Sequence, residues 1–114
     1  MSDCLFCRIA RAEIPVRKVH EDAELLAFED IDPQAPVHVL VIPKRHVATL
    51  NDLAPEDDAL VGRLVRTAAR IAKERGIDER GWRLVANVNG EGGQVVFHVH
   101  AHVLGGRGMG WPPG

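Results

Sequence analysis

Val95-Val96-Phe97-His98-Val99-His100-Ala101-His102-Val103-Leu104 is the stretch on which the fold reading turns. Successive side chains of a strand point to opposite faces. Read as one strand, Val95 to Leu104 places His98, His100 and His102 on one face and Phe97, Val99, Ala101 and Val103 on the other. The second set is apolar and needs something to pack against. Its natural partner is Pro55 to Arg75, where Leu60, Val61, Leu64, Val65, Ala68, Ile71 and Ala72 recur at helical spacing. Pro55 suits a first helical turn, and Glu56, Asp57 and Asp58 complement the positive end of the helix dipole. Arg70, Lys73 and Arg75 complement the other end, and Gly76 is a natural C-cap.

Further elements follow in both directions. Leu5, Ile9 and Ala12 predict a short amphipathic helix over Cys4 to Glu13, ended by Pro15. Val16 to His20 and Leu25 to Phe28 read as strands around a turn at Glu21-Asp22. Two prolines make Asp30 to Pro36 a loop, and Val37 to Ile42 is a central strand closed by Pro43. Trp82 to Asn87 is a further strand, and Asn89-Gly90-Glu91-Gly92-Gly93 is a flexible loop before the histidines. One long helix beside about five strands on short connections predicts an α+β fold with a mostly antiparallel sheet.

The length of 114 residues fits one domain, 1-114, able to bury roughly two-thirds of its surface. Sixteen acids against fourteen lysines and arginines leave −2, so no basic field offers itself to nucleic acid. The longest apolar run, around Val39 to Ile42, falls far short of the ~20 residues that span a bilayer, which argues against a membrane partner. Met1-Ser2-Asp3-Cys4 lacks the basic-then-apolar order of a leader. Cys4 and Cys7 are too close for a framework disulfide; in a reducing compartment such a pair means metal or redox chemistry. A cytoplasmic protein is expected.

Same-face histidines on a strand sit about 6–7 Å apart, from the ~3.3 Å rise per residue. One imidazole can then attack an atom while the next reaches its leaving group, or two can share a metal. A neutral imidazole is a good nucleophile, and a neighbour can act as general acid near neutrality. The glycine-rich loop could offer main-chain N–H groups to a phosphate. Together they suggest attack on phosphorus.

His98-Val99-His100-Ala101-His102-Val103-Leu104 matches the His-φ-His-φ-His-φ-φ signature, and the chain resembles the histidine triad (HIT) superfamily nearly end to end. Phe28-Glu29-Asp30-Ile31, Pro33-Gln34-Ala35-Pro36, Val41-Ile42-Pro43-Lys44 and Gly92-Gly93-Gln94 carry the likeness. The ending Leu104-Gly105-Gly106-Arg107 and Trp111-Pro112-Pro113-Gly114 resembles its Hint branch, the purine nucleoside phosphoramidases. The resemblance implies a HIT-like fold, hydrolysis of adenosine 5′-monophosphoramidate-type substrates and an AMP-type purine nucleotide ligand.

Carried over residue by residue, it implies that His100 attacks the α-phosphorus and forms a nucleotidyl-histidine. His102 would contact the phosphate and help protonate the departing amine, with His38 supporting the pair. Asp30 and Ile31 fall where the family holds the ribose and its surroundings. Asn87, Gly93, Gln94 and Val95 fall around the phosphate and leaving group. Val95 departs from a serine common in that branch, and Gly110 from a histidine. Trp111 belongs to a tail that approaches the partner's active site in a homodimer. Cys4, Cys7, His46 and His98 match a bacterial-type structural zinc (Zn2+) site, with no metal in the chemistry itself. The alternatives are a dinucleoside polyphosphate hydrolase, a non-catalytic nucleotide-binding regulatory module, and a metalloenzyme with a catalytic ion on the three histidines. His20 has no assigned role.

Overall fold

Leu25 to Phe28 and Val39 to Ile42 are apolar at every position, so both faces of these segments must be covered. The computed structural model, which describes residues 4–114, places them at the middle of a sheet covered on both sides. Met1, Ser2 and Asp3, most of the stretch read for leader order, lie outside the described residues. In chain order the elements are α1 (Leu5–Ala10), β1 (Lys18–Glu21), β2 (Leu25–Glu29), β3 (Val37–Pro43), α2 (Asp58–Glu74), β4 (Trp82–Val85) and β5 (Ala101–Gly105). Two 3₁₀ turns, Leu50–Asp52 and Pro55–Asp57, precede α2. The strands run β1-β2-β3-β5-β4, and every neighbouring pair is antiparallel. The expected α+β architecture is therefore present, with the sheet antiparallel throughout.

Alternation sorts the side chains into two layers. Leu25, Ala27, Val39, Val41, Ala101 and Val103 meet Leu64, Ala68, Ile71 and Ala72 of α2. On the opposite face Leu26, Phe28, Leu40 and Ile42 meet Phe6 and Ile9 of α1. Val65, counted into the apolar stripe of α2, is exposed, so the buried stripe is narrower than the spacing suggested. Gly76 follows the end of α2 at φ +75, the left-handed conformation expected of its cap.

Several boundaries move. The first helix spans Leu5–Ala10 with Cys4 as its N-cap and Arg11 as its C-cap, and a left-handed Ala12 (φ +62) follows, well before Pro15. β1 is shifted two residues along from the predicted Val16, and β4 stops at Val85. The largest correction falls on the opening stretch. β5 begins at Ala101, and residues 96–98 form a bend. Beyond Val41↔Ala101 the neighbouring strand approaches Pro43, which has no N–H to give. Val99 N–H instead donates to the carbonyl of Val47 at 2.7 Å. Phe97, predicted to face the core, is 47% exposed on this bend, whereas Val99, Ala101 and Val103 are buried. Among the described residues no helix is long and apolar enough to cross a membrane.

Candidate active site and metal centre

The bend divides the three histidines between two places. His98 is fully buried. Its Nε2–H donates to the Pro43 carbonyl at 2.7 Å, so Nδ1 carries the lone pair. That Nδ1 lies 3.4 Å from Cys4 Sγ, 3.5 Å from Cys7 Sγ and 3.3 Å from His46 Nδ1. Cys7 Sγ is also 3.3 Å from His46 Nδ1. Metal bonds of about 2.3 Å to sulfur and 2.0 Å to nitrogen give tetrahedral edges of roughly 3.5 Å between N and S and 3.3 Å between two nitrogens. The four residues thus lie close enough to hold one metal ion, with all their donor atoms within 4.8 Å of one another. Burial, and next the hydrogen bond and charge of Cys4, push the Cys7 thiol up from its ordinary value. A cation at the centre would reverse this, because a coordinating thiol is deprotonated.

His100 and His102 line a different space, a cavity of about 530 Å³ between the sheet, α1 and the loops at residues 30–34 and 87–96. Their ring centroids are 5.0 Å apart, closer than the strand spacing predicted. Nδ1 of His100 donates to the His98 carbonyl at 2.7 Å, which leaves Nε2 of the neutral ring bare. His102 has the opposite polarity. The Gln34 N–H donates to His38 Nδ1 at 3.0 Å, so His38 holds its hydrogen on Nε2 and donates it to His102 Nδ1 at 2.9 Å. His102 must then carry its own hydrogen on Nε2. Burial lowers both of these rings; for His102, burial and then the nearness of His100 and His38 push it down to about 4.

Asp30 stands 3.4 Å from His38 Nε2 through Oδ2, while its Oδ1 accepts the Asp32 N–H at 2.8 Å. Asp30, His38 and His102 cluster tightly enough to suggest a second metal set. The tautomers oppose it: His38 presents a hydrogen at Nε2, because its other nitrogen is already an acceptor.

Of the remaining predicted residues, Ile31, Asn87, Gly93 and Val95 line the cavity. Ile31 and Val95 do so from its rim and are 100% and 87% exposed. Gln94 is buried beside the cavity, and its amide donates to the carbonyls of Ala48 and Val96 while its Oε1 accepts the Asn89 N–H. The side chain therefore holds the glycine-rich loop together. Gly92 packs so closely that a Cβ would come within 2.4 Å of the Val88 oxygen. Trp111 does not line this cavity: it is 83% exposed, 5.9 Å from the Arg83 guanidinium, which also donates to the Gly110 carbonyl. His20 accepts from Arg70 at Nδ1 and donates to Asp22 from Nε2.

The sequence reading missed the apolar half of the cavity, formed by Leu5, Phe6, Ile9, Ile14, Phe28 and Leu40. The signal lay in the cysteine spacing. Residues that pin α1 to His98 also set its apolar face opposite the histidines, and the Phe6 ring stands edge-on to His98 and His100 at 6.0 and 5.0 Å.

The HIT domain family model matches residues 11–109, and the chain belongs to this family. It is 46% identical over 108 residues to the purine nucleoside phosphoramidase of Escherichia coli, covering 95% of this chain and 91% of that one. Among solved structures, a HIT family hydrolase from Legionella pneumophila superposes with a TM-score of 0.97 at 54% identity, covering 98% of this chain and all of the other. A histidine triad nucleotide-binding protein from Candida albicans gives 0.83 at 34% identity, with 96% and 83% coverage.

Proposed function

We propose that this protein is a nucleoside phosphoramidase, which cleaves the P–N bond of purine nucleoside 5′-phosphoramidates through a nucleotidyl-histidine. One observation carries the reading: two adjacent rings at one end of a cavity present opposite faces, a lone pair on His100 Nε2 and a hydrogen on His102 Nε2. His100 attacks the α-phosphorus, the P–N bond breaks, and the amine leaves with a proton. Water then hydrolyses the Nε2–P bond, releasing the nucleoside monophosphate and restoring His100. Splitting one displacement into two is the usual gain of covalent catalysis. His102 donates to the phosphate oxygens and to the departing nitrogen, and an anionic phosphate beside it favours its charged form. His38 holds that ring in the donating tautomer.

The ribose hydroxyls go to Asp30, which lines the cavity, and the base to Ile31 and the apolar wall of α1 and β2. Asn87 and the Gly93 and Val95 main chain surround the phosphate, with Gln94 shaping the loop. Zinc is the metal best suited to Cys4, Cys7, His46 and His98, because two thiolates and two imidazoles form a closed tetrahedral set. It would cross-link α1 to the segment that carries His100. The name of the E. coli relative supports the substrate class. We take residues 1–114 as one HIT domain, working as a cytoplasmic homodimer in which Trp111 reaches the partner's cavity. Free thiols at a metal-type site and the unpaired outer edge of β4 support that part.

The test is hydrolysis of adenosine 5′-phosphoramidate by purified protein, with radiolabelled nucleotide trapped on His100. Release of AMP that disappears in His100→Ala is expected; full activity in that variant defeats the mechanism. Faster turnover of a diadenosine polyphosphate would move the assignment to that substrate class.

A further inference from the structure

Arg107 lies just past β5 and touches none of the histidines, yet its contacts lead to one of them. Its Nε donates to the main-chain carbonyl of Gln34 at 3.0 Å, and its Nη1 to the Gly108 carbonyl at 3.0 Å. Gln34 is also the residue whose N–H donates to His38 Nδ1. Its side chain is engaged as well, donating to the Asp32 carbonyl at 3.0 Å. The turn Pro33-Gln34-Ala35-Pro36 contains two prolines, so Gln34 supplies one of only two N–H groups available in it. A second contact presses the same two segments together. Gly106 is left-handed at φ +91, and a Cβ there would lie 2.9 Å from Pro36 Cβ. Only a glycine lets the chain leave β5 this close to the turn and bring Arg107 to it.

We propose that Arg107 is a positioning residue for His102: by anchoring the Gln34 carbonyl it restrains the φ and ψ of Gln34, which keeps the N–H of the preceding peptide on His38 and so fixes the tautomers of both rings. A neutral imidazole carries one hydrogen. If the Gln34 N–H turns away, that hydrogen can occupy Nδ1 of His38 instead. His38 Nε2 then accepts, His102 donates from Nδ1, and a lone pair replaces the N–H that His102 offers to the cavity. A lone pair repels the phosphate oxygen that the N–H would bind. The effect falls on the transition state, where charge on those oxygens is greatest, rather than on nucleotide capture by Asp30 and the apolar wall.

The importance of the His102 N–H for turnover rests on the phosphoramidase reading; the tautomer claim does not. Arg107→Ala and Arg107→Lys should be compared with the unaltered, metal-loaded protein by ring ¹⁵N NMR of the free chain and by steady-state kinetics on adenosine 5′-phosphoramidate. The unaltered protein should show hydrogen on Nε2 of both His38 and His102. Arg107→Ala should mix or reverse these tautomers and lower kcat about tenfold with KM within about twofold. Arg107→Lys keeps one donor for the Gln34 carbonyl and should restore a large part of both. Unchanged tautomers in Arg107→Ala overturn the proposal, as does a fall in kcat that lysine does not restore. If the unaltered protein fails to cleave phosphoramidate, the functional reading falls, and the NMR comparison still decides the role of Arg107.

Discussion

Acid should destabilise this protein through His102 in particular. Burial first, and then the nearness of His100 and His38, bring this ring from 6.5 down to about 4, against a weaker opposing pull from Asp30. In the unfolded chain the ordinary value returns. Between the two values the unfolded state binds a proton that the folded state refuses, so stability rises with pH there. The stability is complete above about pH 6.5 and is lost as pH falls toward 4; at 1.36 kcal/mol per unit, discounted because the ring is partly open to solvent, the loss is about 2 kcal/mol. That is a large share of the 5–15 kcal/mol typical of a domain. His38, also lowered mainly by burial, acts in the same direction, and carboxylates titrate in the lower half of the window. The assay must therefore be a difference. Urea unfolding of the unaltered protein and of His102→Gln, at about pH 7 and about pH 4.5, isolates the imidazole, since carboxylates and metal ligands are common to both. The half-buried Trp82 can report the transition by its fluorescence. The unaltered protein should lose about 1–2 kcal/mol more than the variant. Equal losses would refute the reasoning.

Two further outcomes follow from the geometry. Chelation, or Cys7→Ser, should free α1 from His98 and lower Tm by about 10 °C or more, as calorimetry with and without added zinc would measure; an unchanged Tm rules out a structural metal. Gly92→Ala should cost about 1–3 kcal/mol in denaturant titrations, because its Cβ meets the Val88 backbone, and should weaken AMP binding in calorimetric titration as the glycine-rich loop shifts.

The sheet and the long helix were legible because their information is local and periodic. The unbroken apolar run Val39 to Ile42 states a strand covered on both faces, and the Leu64-Ala68-Ile71 stripe states the face of a helix. The His-x-His-x-His spacing showed that the rings belong together, but not that they divide between the Cys4, Cys7 and His46 cluster and a cavity. That division depends on Pro43, far away in sequence, whose missing N–H ends the pairing and whose carbonyl takes the His98 hydrogen. Ring polarity was equally illegible. It depends on the Gln34 N–H and the His98 carbonyl, and main-chain groups are the same whatever side chain they carry. Phe97 shows the limit of periodicity: alternation is informative only while the chain remains a strand, and this residue sits on the bend.

The group that faces the inner nitrogen of His100 is a peptide carbonyl, whereas the carboxylate of Asp30 lies beside His38 instead. Once phosphorus is bonded to Nε2 and hydrogen remains on Nδ1, the ring is a cation, and the oxygen touching it brings only a dipole. Among the described residues no carboxylate is hydrogen-bonded to that nitrogen. A phosphorylated imidazolium is a far better departing group than a neutral phosphorylated imidazole. The covalent adduct of the proposed reaction is thus built to be short-lived: the fold favours its prompt surrender to water over its storage as a lasting mark on the protein.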